Sequence, residues 1–576
     1  MNKKNIKIFP VLDGLQVSSD DFALAKKIDP IKKVGFIIPP YFDGSDYISE
    51  EKTAVLPAFT IPYGILSMVT YLNANLSRDI KFEILDLNIV LKEILAKGST
   101  NYQEILNLAT EDFCLKNNCD FIGISALFNS SYNYLSEIAN IAKKVNINCI
   151  VGAGGGLPSA AFQRILEKCK NIDAVCKGEG ELPLLRLLES QNPLFTLQSD
   201  QSWATRESLK KEHLPKHSFI DNLDLIPPLD YSLVNLKDYN SRGIDKAFAK
   251  NLKKQEMAIH TSRGCPFKCV FCSNPSLHGY DVRTMTIDRV VKDVTRMRDE
   301  FGMTVLMIED DHFFHDKKRA KNILRELGKL GIRCEFPNGV AVYAIDQEVA
   351  DLFAIAGVSA VALAIESGSD FVLNKLMKKP LKTKAIVPAI TALRNANVRA
   401  HAFMVVGIPG EKDEHREETR KMLVNSGIDW VHIYCAIPIF GSKLFEICKE
   451  NGFIDLDENS DTYVVTKSVI NAPGIDPKKI EQFVYNLQLE VNFIENYNLK
   501  QSRFDLALPY FENVVEKYPN HAFGQFFISK CYRGLNNPTL ASKHEFLAKE
   551  IFKKDAFWRD LPISQNSEIK NFISGI

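Results

Sequence analysis

No apolar stretch of the chain reaches the ~18 consecutive residues that a membrane-spanning helix needs. Net charge is missing as well: 71 Lys plus Arg balance 71 Asp plus Glu over 576 residues. That balance removes any bulk electrostatic reason to expect nucleic acid or an anionic membrane as a partner. The N-terminal MNKKNIKIFPVLDG is basic but has no long apolar run or small-residue cleavage site, so it does not read as a signal peptide. The expectation is a cytoplasmic protein with no membrane span. Histidine is scarce, and the first one is His213. Any site built upstream of it must work without imidazole. Of twelve cysteines only one group is tightly spaced. This excludes a disulfide frame and points to a reducing compartment with one metal site.

The length predicts about three structural units. Residues 1–31 form an N-terminal extension. Over 32–188, strand-like runs (Val34–Ile38, Phe82–Leu87, Phe121–Ser125, Cys149–Gly152, Ala174–Cys176) alternate with helical patterns (Ile61–Leu76, Tyr132–Val145, Ser159–Cys169). The alternation predicts an α/β fold with a doubly wound parallel sheet, whose ligands sit beyond the carboxyl ends of the strands. Residues 189–255 are polar and weakly periodic and read as a linker. Over 256–449 six further βα units predict a partial parallel barrel, with strands at Met257–Thr261, Thr304–Ile308, Arg333–Phe336, Ala360–Ile365, Arg399–Val406 and Trp430–Ile437. Residues 450–576 read as helical. Ala507, Phe511 and Pro519, then Ile528, Ser529, Tyr532, Ala541 and Ala548, give a tetratricopeptide-like signature over about 500–552. That is too little for a free-standing solenoid, so these helices are expected to pack on the barrel.

The closely spaced cysteines lie in TSRGCPFKCVFC: Cys265, Cys269 and Cys272. Thiolates suit iron–sulfur clusters, and three of them leave one iron of a [4Fe–4S] cube open to another ligand. Zinc is the alternative, with His260 or His278 as a fourth ligand. The loop follows the first strand of the barrel-like region, where catalytic loops are expected.

This CxxxCxxC loop, with the aromatic Phe271 before its third cysteine, resembles the radical S-adenosylmethionine (SAM) superfamily. Three downstream segments resemble that family in the same order: ALAIESGSDFVLNKLMKK (Ala362–Lys379), FMVVGIPGE (Phe403–Glu411) and IPIFGSKLF (Ile437–Phe445). The resemblance implies a cluster on the triad and SAM held by polar groups at strand ends. Those would be Phe271, Glu309 or Asp310, Glu366, Ser367, Gly407, Ile408 and Pro409. For Glu309, Asp310 and Asp311 a helix N-terminus is an equally good explanation. A carboxylate such as Glu366 that ends an apolar strand is costly without a partner.

Upstream, the PPY run at Pro39, IPYGIL, ILDLN, GISALF, VGAGGGLPS and KGEGE resemble the cobalamin-binding domain fused to one branch of that superfamily. The implied corrinoid contacts are Phe128, Asn129 and Ser130; Gly154, Gly155, Gly156, Leu157 and Pro158; and Gly178, Glu179 and Gly180. A tight strand-to-helix turn also explains the glycine run. Many such domains supply a lower-ligand histidine from a DxHxxG loop. The matching loop here is PPYFDGS, so the resemblance implies cobalamin with no histidine from this domain.

The implied activity is methylation of an unactivated carbon of a metabolite or peptide, through a 5′-deoxyadenosyl radical and methylcobalamin. The alternatives are a non-methylating cyclisation or rearrangement, and a non-catalytic iron–sulfur sensor or scaffold. A reductase, flavodoxin or ferredoxin would donate electrons. His312, His315 and Tyr434 lie near predicted strand ends, but no residue can be named as a catalytic base beyond the cluster.

Overall fold

The computed structural model describes residues 30–42, 60–97, 101–239, 255–455 and 467–575. Most of the N-terminal extension, and Asp43, Gly44 and Ser45 of the PPYFDGS loop, lie outside them. The first sheet has six strands: β1 (Lys33–Ile38), β2 (Lys81–Asp86), β3 (Phe121–Ser125), β4 (Ile150–Gly154), β5 (Ala174–Cys176) and β6 (Trp203–Ala204). Their order is β2-β1-β3-β4-β5-β6, parallel except for β6. The order reverses between β1 and β3, and a doubly wound sheet opens its ligand crevice at that point. Apolar side chains cover both faces of the sheet in two separate cores.

Three features differ from the sequence expectation. Helices Leu87–Ala96 and Tyr102–Asn117 fill the β2-to-β3 connection. The stretch read as a linker contains helix Pro193–Ser199 and the edge strand β6. And the glycine run mainly serves backbone packing. Gly155 has φ +98°, and a Cβ there would stand 2.5 Å from the Ala126 carbonyl oxygen. At Gly156 a Cβ would stand 2.8 Å from Leu127 O, whereas at Gly154 it would meet only Cys176 Cβ at 3.8 Å. Gly155→Ala is therefore expected to destabilise the protein by about 2–4 kcal/mol, from the left-handed backbone plus the clash. Gly154→Ala costs much less. Denaturant titration of both variants checks this, and equal losses would contradict it.

The second region is an arc of six parallel strands. One half is β7 (Glu256–Ile259), β10 (Val305–Ile308) and β11 (Arg333–Glu335). The other is β12 (Ala360–Glu366), β13 (Arg399–Val406) and β14 (Trp430–Cys435). The halves are joined by a parallel bridge between Val340 and Leu363. Between β7 and β10 a short ladder pairs β8 (Ser262–Arg263) with β9 (Arg283–Thr284).

The arc leaves β14 at an edge, and such edges need cover. Here Asn492 supplies it: its Oδ1 accepts from Val431 N at 2.8 Å and its Nδ2 donates to Val431 O at 2.9 Å. Tyr510, on helix Phe504–Lys517, stacks on Trp430 at 5.0 Å. Helices Ala522–Gly534 and Pro538–Lys554 extend that layer, burying Ala507, Phe511, Ala541 and Ala548. The C-terminal helices thus pack on the barrel. Among the described residues no helix is long and apolar enough to cross a membrane.

Candidate functional site

The β8–β9 ladder closes the base of the loop carrying Cys265, Cys269 and Cys272. The loop starts at Gly264, where φ is +98° and a Cβ would lie 2.3 Å from Asp281 O. Asp310 accepts from Thr261 N, Thr261 Oγ1 and Ser262 Oγ, each at 2.6 Å. Asp311 accepts from Gly264 N at 2.7 Å. At the far side Val270 N donates to Met377 O at 2.9 Å, and Leu444 N donates to Val270 O at 2.7 Å. The loop is thus pinned to the end of β10 and to the segments that follow β12 and β14. The Asp310 carboxylate, expected either at the cofactor or at a helix N-terminus, is instead used up holding the loop.

The triad thiols are partly exposed, whereas all nine other cysteines are buried. They face one another: Cys269 raises the pKa of Cys265, and Cys269 and Cys265 raise that of Cys272. Burial is the larger cause and pushes Cys272 up to about 12. Lys379 opposes the rise at Cys265 and Cys269. Thiols held this way become thiolates when a metal centre binds them. Among the described residues no three His, Cys, Asp or Glu side chains crowd round one point as a single metal ion needs. The two histidines weighed as zinc ligands are engaged elsewhere. His260 faces Glu309 at 3.5 Å, and His278 Nδ1 lies 2.8 Å from Glu179 Oε1.

Around the triad stand the ends of β12 and β13. Glu366 adopts φ +68°, rare for a side chain other than glycine, at a bulge in β12. Burial raises its pKa against the pull of Lys379, whose Nζ lies 3.4 Å away. Ser367 Oγ sits 3.2 Å from Thr419 Oγ1, and the buried Ser369 hydroxyl has no protein partner. Ile408 and Pro409, with Cys269 and Cys272, line a cavity of about 530 Å³. Phe271 packs partly buried against the barrel core. Glu309 is held by His260, and its carbonyl accepts from Asn338 Nδ2 at 2.9 Å. Lys379, Ser369 and Tyr343 escaped the sequence reading, although Lys379 and Ser369 lie inside a segment it singled out. The Tyr343 hydroxyl reaches His312 Nε2 at 2.7 Å. Burial lowers the His312 pKa to about 4, which keeps it neutral.

Glu411 closes the turn after β13: Gly407 N donates to its Oε2 at 2.6 Å. Burial raises its pKa to about 7, against that hydrogen bond and Arg416. A raised folded-state pKa means that the protonated form stabilises the fold. Its contribution is complete below the ordinary glutamate range and is lost as pH rises through about 7. Glu411→Gln should therefore gain on the parent by up to roughly 3 kcal/mol between about pH 5 and pH 8. Urea titrations at both pH values measure it, and an unchanged difference would refute the assignment.

The carboxyl end of the first sheet faces this loop. Leu127 and Phe128 are about half exposed at the β3 end, beside Tyr41 from the β1 end. Ser130 Oγ donates to Tyr41 O at 2.6 Å, tying the two loops together, and the buried Asn129 Nδ2 has no protein partner. This open apolar rim with one unsatisfied donor fits a large amide-rimmed ligand such as a corrinoid. Leu157 and Pro158, by contrast, are buried within the sheet's own packing. Gly178, Glu179 and Gly180 are turned to another task. Arg263 Nη1 donates to Glu179 Oε2 and Glu181 Oε1, both at 2.9 Å, and its Nη2 donates to Ser67 Oγ at 2.9 Å. Arg283 adds bonds to both Glu179 oxygens. A Cβ at Gly178 would meet His217 at 2.7 Å and one at Gly180 would meet Met68 at 2.6 Å. The GEGE segment is thus a buried ionic latch between the first sheet and the two strands that clasp the cysteine loop. Burial would raise the Glu179 pKa, but Arg263, Arg283 and His278 hold it well below the usual carboxylate range.

Comparison with known proteins now decides the family. The radical SAM superfamily model matches residues 259–423, and the B12 binding domain model matches residues 102–188. This chain is a radical SAM enzyme with a B12-binding domain. Those domains bring a [4Fe–4S] cluster, SAM and cobalamin as cofactors. Radical SAM enzymes act on small-molecule or peptide substrates and need an electron donor. Cytidylyl-2-hydroxyethylphosphonate methyltransferase of Streptomyces wedmorensis is 27% identical over 415 residues, spanning 67% of this chain and 76% of its own. Anaerobic magnesium-protoporphyrin IX monomethyl ester cyclase of Cereibacter sphaeroides is 25% identical over 310 residues, 53% of this chain and 49% of its own. The structure of the radical SAM methyltransferase TsrM from Kitasatospora setae, with cobalamin and [4Fe–4S] cluster bound, superposes with a TM-score of 0.56 at 14% identity. It covers 91% of this radical SAM enzyme and all of the TsrM chain, so the fold is shared.

Proposed function

We propose that this enzyme methylates an unactivated carbon of a small molecule or peptide bound between the first sheet and the barrel. The observation that carries the proposal is the buried Glu179–Arg263–Arg283 latch, which holds the corrinoid domain against the cluster loop within one chain. The methyltransferase relative and the shared fold support the same reading.

When bound, the cluster and SAM supply a carbon-centred radical for hydrogen abstraction, and the corrinoid supplies the methyl group. The residues take the following roles. Cys265, Cys269 and Cys272 hold the cluster. Lys379 and the Ser369 hydroxyl receive the charged methionyl end of SAM, beside Glu366 and Ser367. Gly407 and Phe271 border its adenosyl portion, whereas Ile408 and Pro409, expected there too, line the cavity that Lys268, Lys375, Lys378 and Lys443 surround. Phe128, Asn129 and Ser130, with Gly154, face the corrinoid. Glu179 and Asp310 position these groups without touching them.

No histidine lies within residues 32–188. Of the nearer ones downstream, His217 Nε2 is 2.9 Å from Ser276 O and His278 is bound to Glu179. A corrinoid held at the first sheet would receive no histidine from residues 32–188, and the electron paramagnetic resonance of its Co(II) form is expected to lack splitting from a protein imidazole nitrogen. Imidazole splitting would overturn that assignment.

The cyclase relative favours a second reading, radical cyclisation without methyl transfer. Product mass separates the two. Anaerobically reconstituted enzyme is supplied with reductant, methyl-deuterated SAM and pools of small molecules or peptides. A product heavier by the labelled methyl group supports methylation. A product that has only lost hydrogens supports cyclisation. Failure to form 5′-deoxyadenosine at all would favour an iron–sulfur sensor or scaffold.

A further inference from the structure

The cavity of about 530 Å³ beside the cluster loop reaches Cys269 and Cys272 but not Cys265. Its wall carries Lys268, Lys375, Lys378 and Lys443, and no Asp or Glu lines it. All four lysines are exposed. Lys268 lies over the Tyr280 ring at 5.8 Å, and Glu450 approaches Lys443 at 3.9 Å on the outer side. A chain with no net charge has thus placed four cations around the outer face of two cluster thiols.

We infer that this lysine-rimmed cavity is where an acidic one-electron carrier protein docks. The proposal rests on the reading that the triad holds a reducible cluster. Electron transfer weakens steeply with distance, so a protein donor must come close to the cluster. Cys269 and Cys272 themselves line this cavity. Charges of one sign around such an opening steer an oppositely charged protein to it and fix its orientation. One electron passes from the carrier, which is oxidised, to the cluster, which is reduced; no proton or group moves.

The test compares two donors of opposite charge on the full-length reconstituted enzyme. One is flavodoxin with its reductase and NADPH. The other is dithionite-reduced methyl viologen, a small cation. The variant carries Lys268→Glu, Lys375→Glu, Lys378→Glu and Lys443→Glu; a second carries Gln at the same positions. At low ionic strength the flavodoxin-driven formation of 5′-deoxyadenosine is expected to fall at least about tenfold in the Glu variant and less in the Gln variant. Viologen-driven formation, and iron content, should stay within about twofold, because small cations need no docking site. Wild-type cleavage driven by flavodoxin should also slow as salt is added. A flavodoxin-driven rate that neither the substitutions nor salt alters overturns the proposal. A parallel loss with both donors also overturns it, because the lysines would then support the cluster rather than the donor. If wild-type enzyme cleaves SAM with neither donor, the underlying cluster reading fails first and takes the docking site with it.

Discussion

Alanine at any one of Cys265, Cys269 or Cys272 brings 5′-deoxyadenosine formation from SAM down to background, while corrinoid binding stays at the wild-type level. A cube held by three thiolates cannot spare one, since two would leave two irons open and the cluster labile. No other cysteine can replace the lost ligand: the remaining nine are buried in the cores, five of them in the first sheet region. The stability cost is small, because the triad side chains are partly exposed and the loop is held by its backbone and by Asp310, Asp311 and Val270. Corrinoid binding survives because its proposed contacts at Phe128, Asn129 and Ser130 lie on the other domain. Anaerobic chromatography of the nucleoside products and the visible absorption of bound corrinoid measure both halves. Retained cleavage in any single variant would sink the cluster assignment.

How much of this could be read from the sequence depended on whether the partners were local. Strands β3, β5 and β13 fall where the periodicity puts them, since each is a short apolar run bounded by turns. The helix Leu87–Ala96 escaped because nothing punctuates its start. Asp86 ends β2 and caps the helix with the same side chain, accepting from Asn88 N. Strand β6 has two residues and cannot show a period. The cysteine triad was legible because three ligands within eight residues carry their chemistry locally. Glu179 was not. Its partners Arg263 and Arg283 are more than 80 residues away in sequence, so the same GEGE spacing suits a ligand loop or a domain contact. Asp310 was ambiguous for the same reason, because its three donors come from the neighbouring strand end. Lys379 needed the fold to bring it back over the triad from beyond the end of β12.

The latch should therefore show the largest effect of any residue outside the cofactor ligands. Glu179→Ala removes the carboxylate that neutralises Arg283 and half of the charge facing Arg263, both within a site where every member is nearly inaccessible. Breaking a buried ion pair on one side costs about 3–5 kcal/mol, because the remaining charge cannot regain its water. Arg263 keeps Glu181 and Ser67; Arg283 keeps the carbonyls of Ile220 and His278 and the face of the Phe219 ring, but no carboxylate. Arg283→Met in the same chain should therefore recover part of the loss, as neighbours sharing one network are not additive. The depressed Glu179 pKa gives the pH sign: the stabilisation is present at neutral pH and is lost as pH falls below the ordinary carboxylate range. The functional consequence separates this residue from a purely structural one. With the triad intact, Glu179→Ala should still cleave SAM. The loosened first sheet no longer holds the corrinoid over the barrel mouth, so more 5′-deoxyadenosine forms per methylated product. Denaturation curves for Glu179→Ala, Arg283→Met and the double variant, together with that product ratio, test the two claims separately. Wild-type stability in Glu179→Ala would remove the latch, and an unchanged ratio at reduced stability would leave it a fold contact with no part in the alignment of the two cofactors.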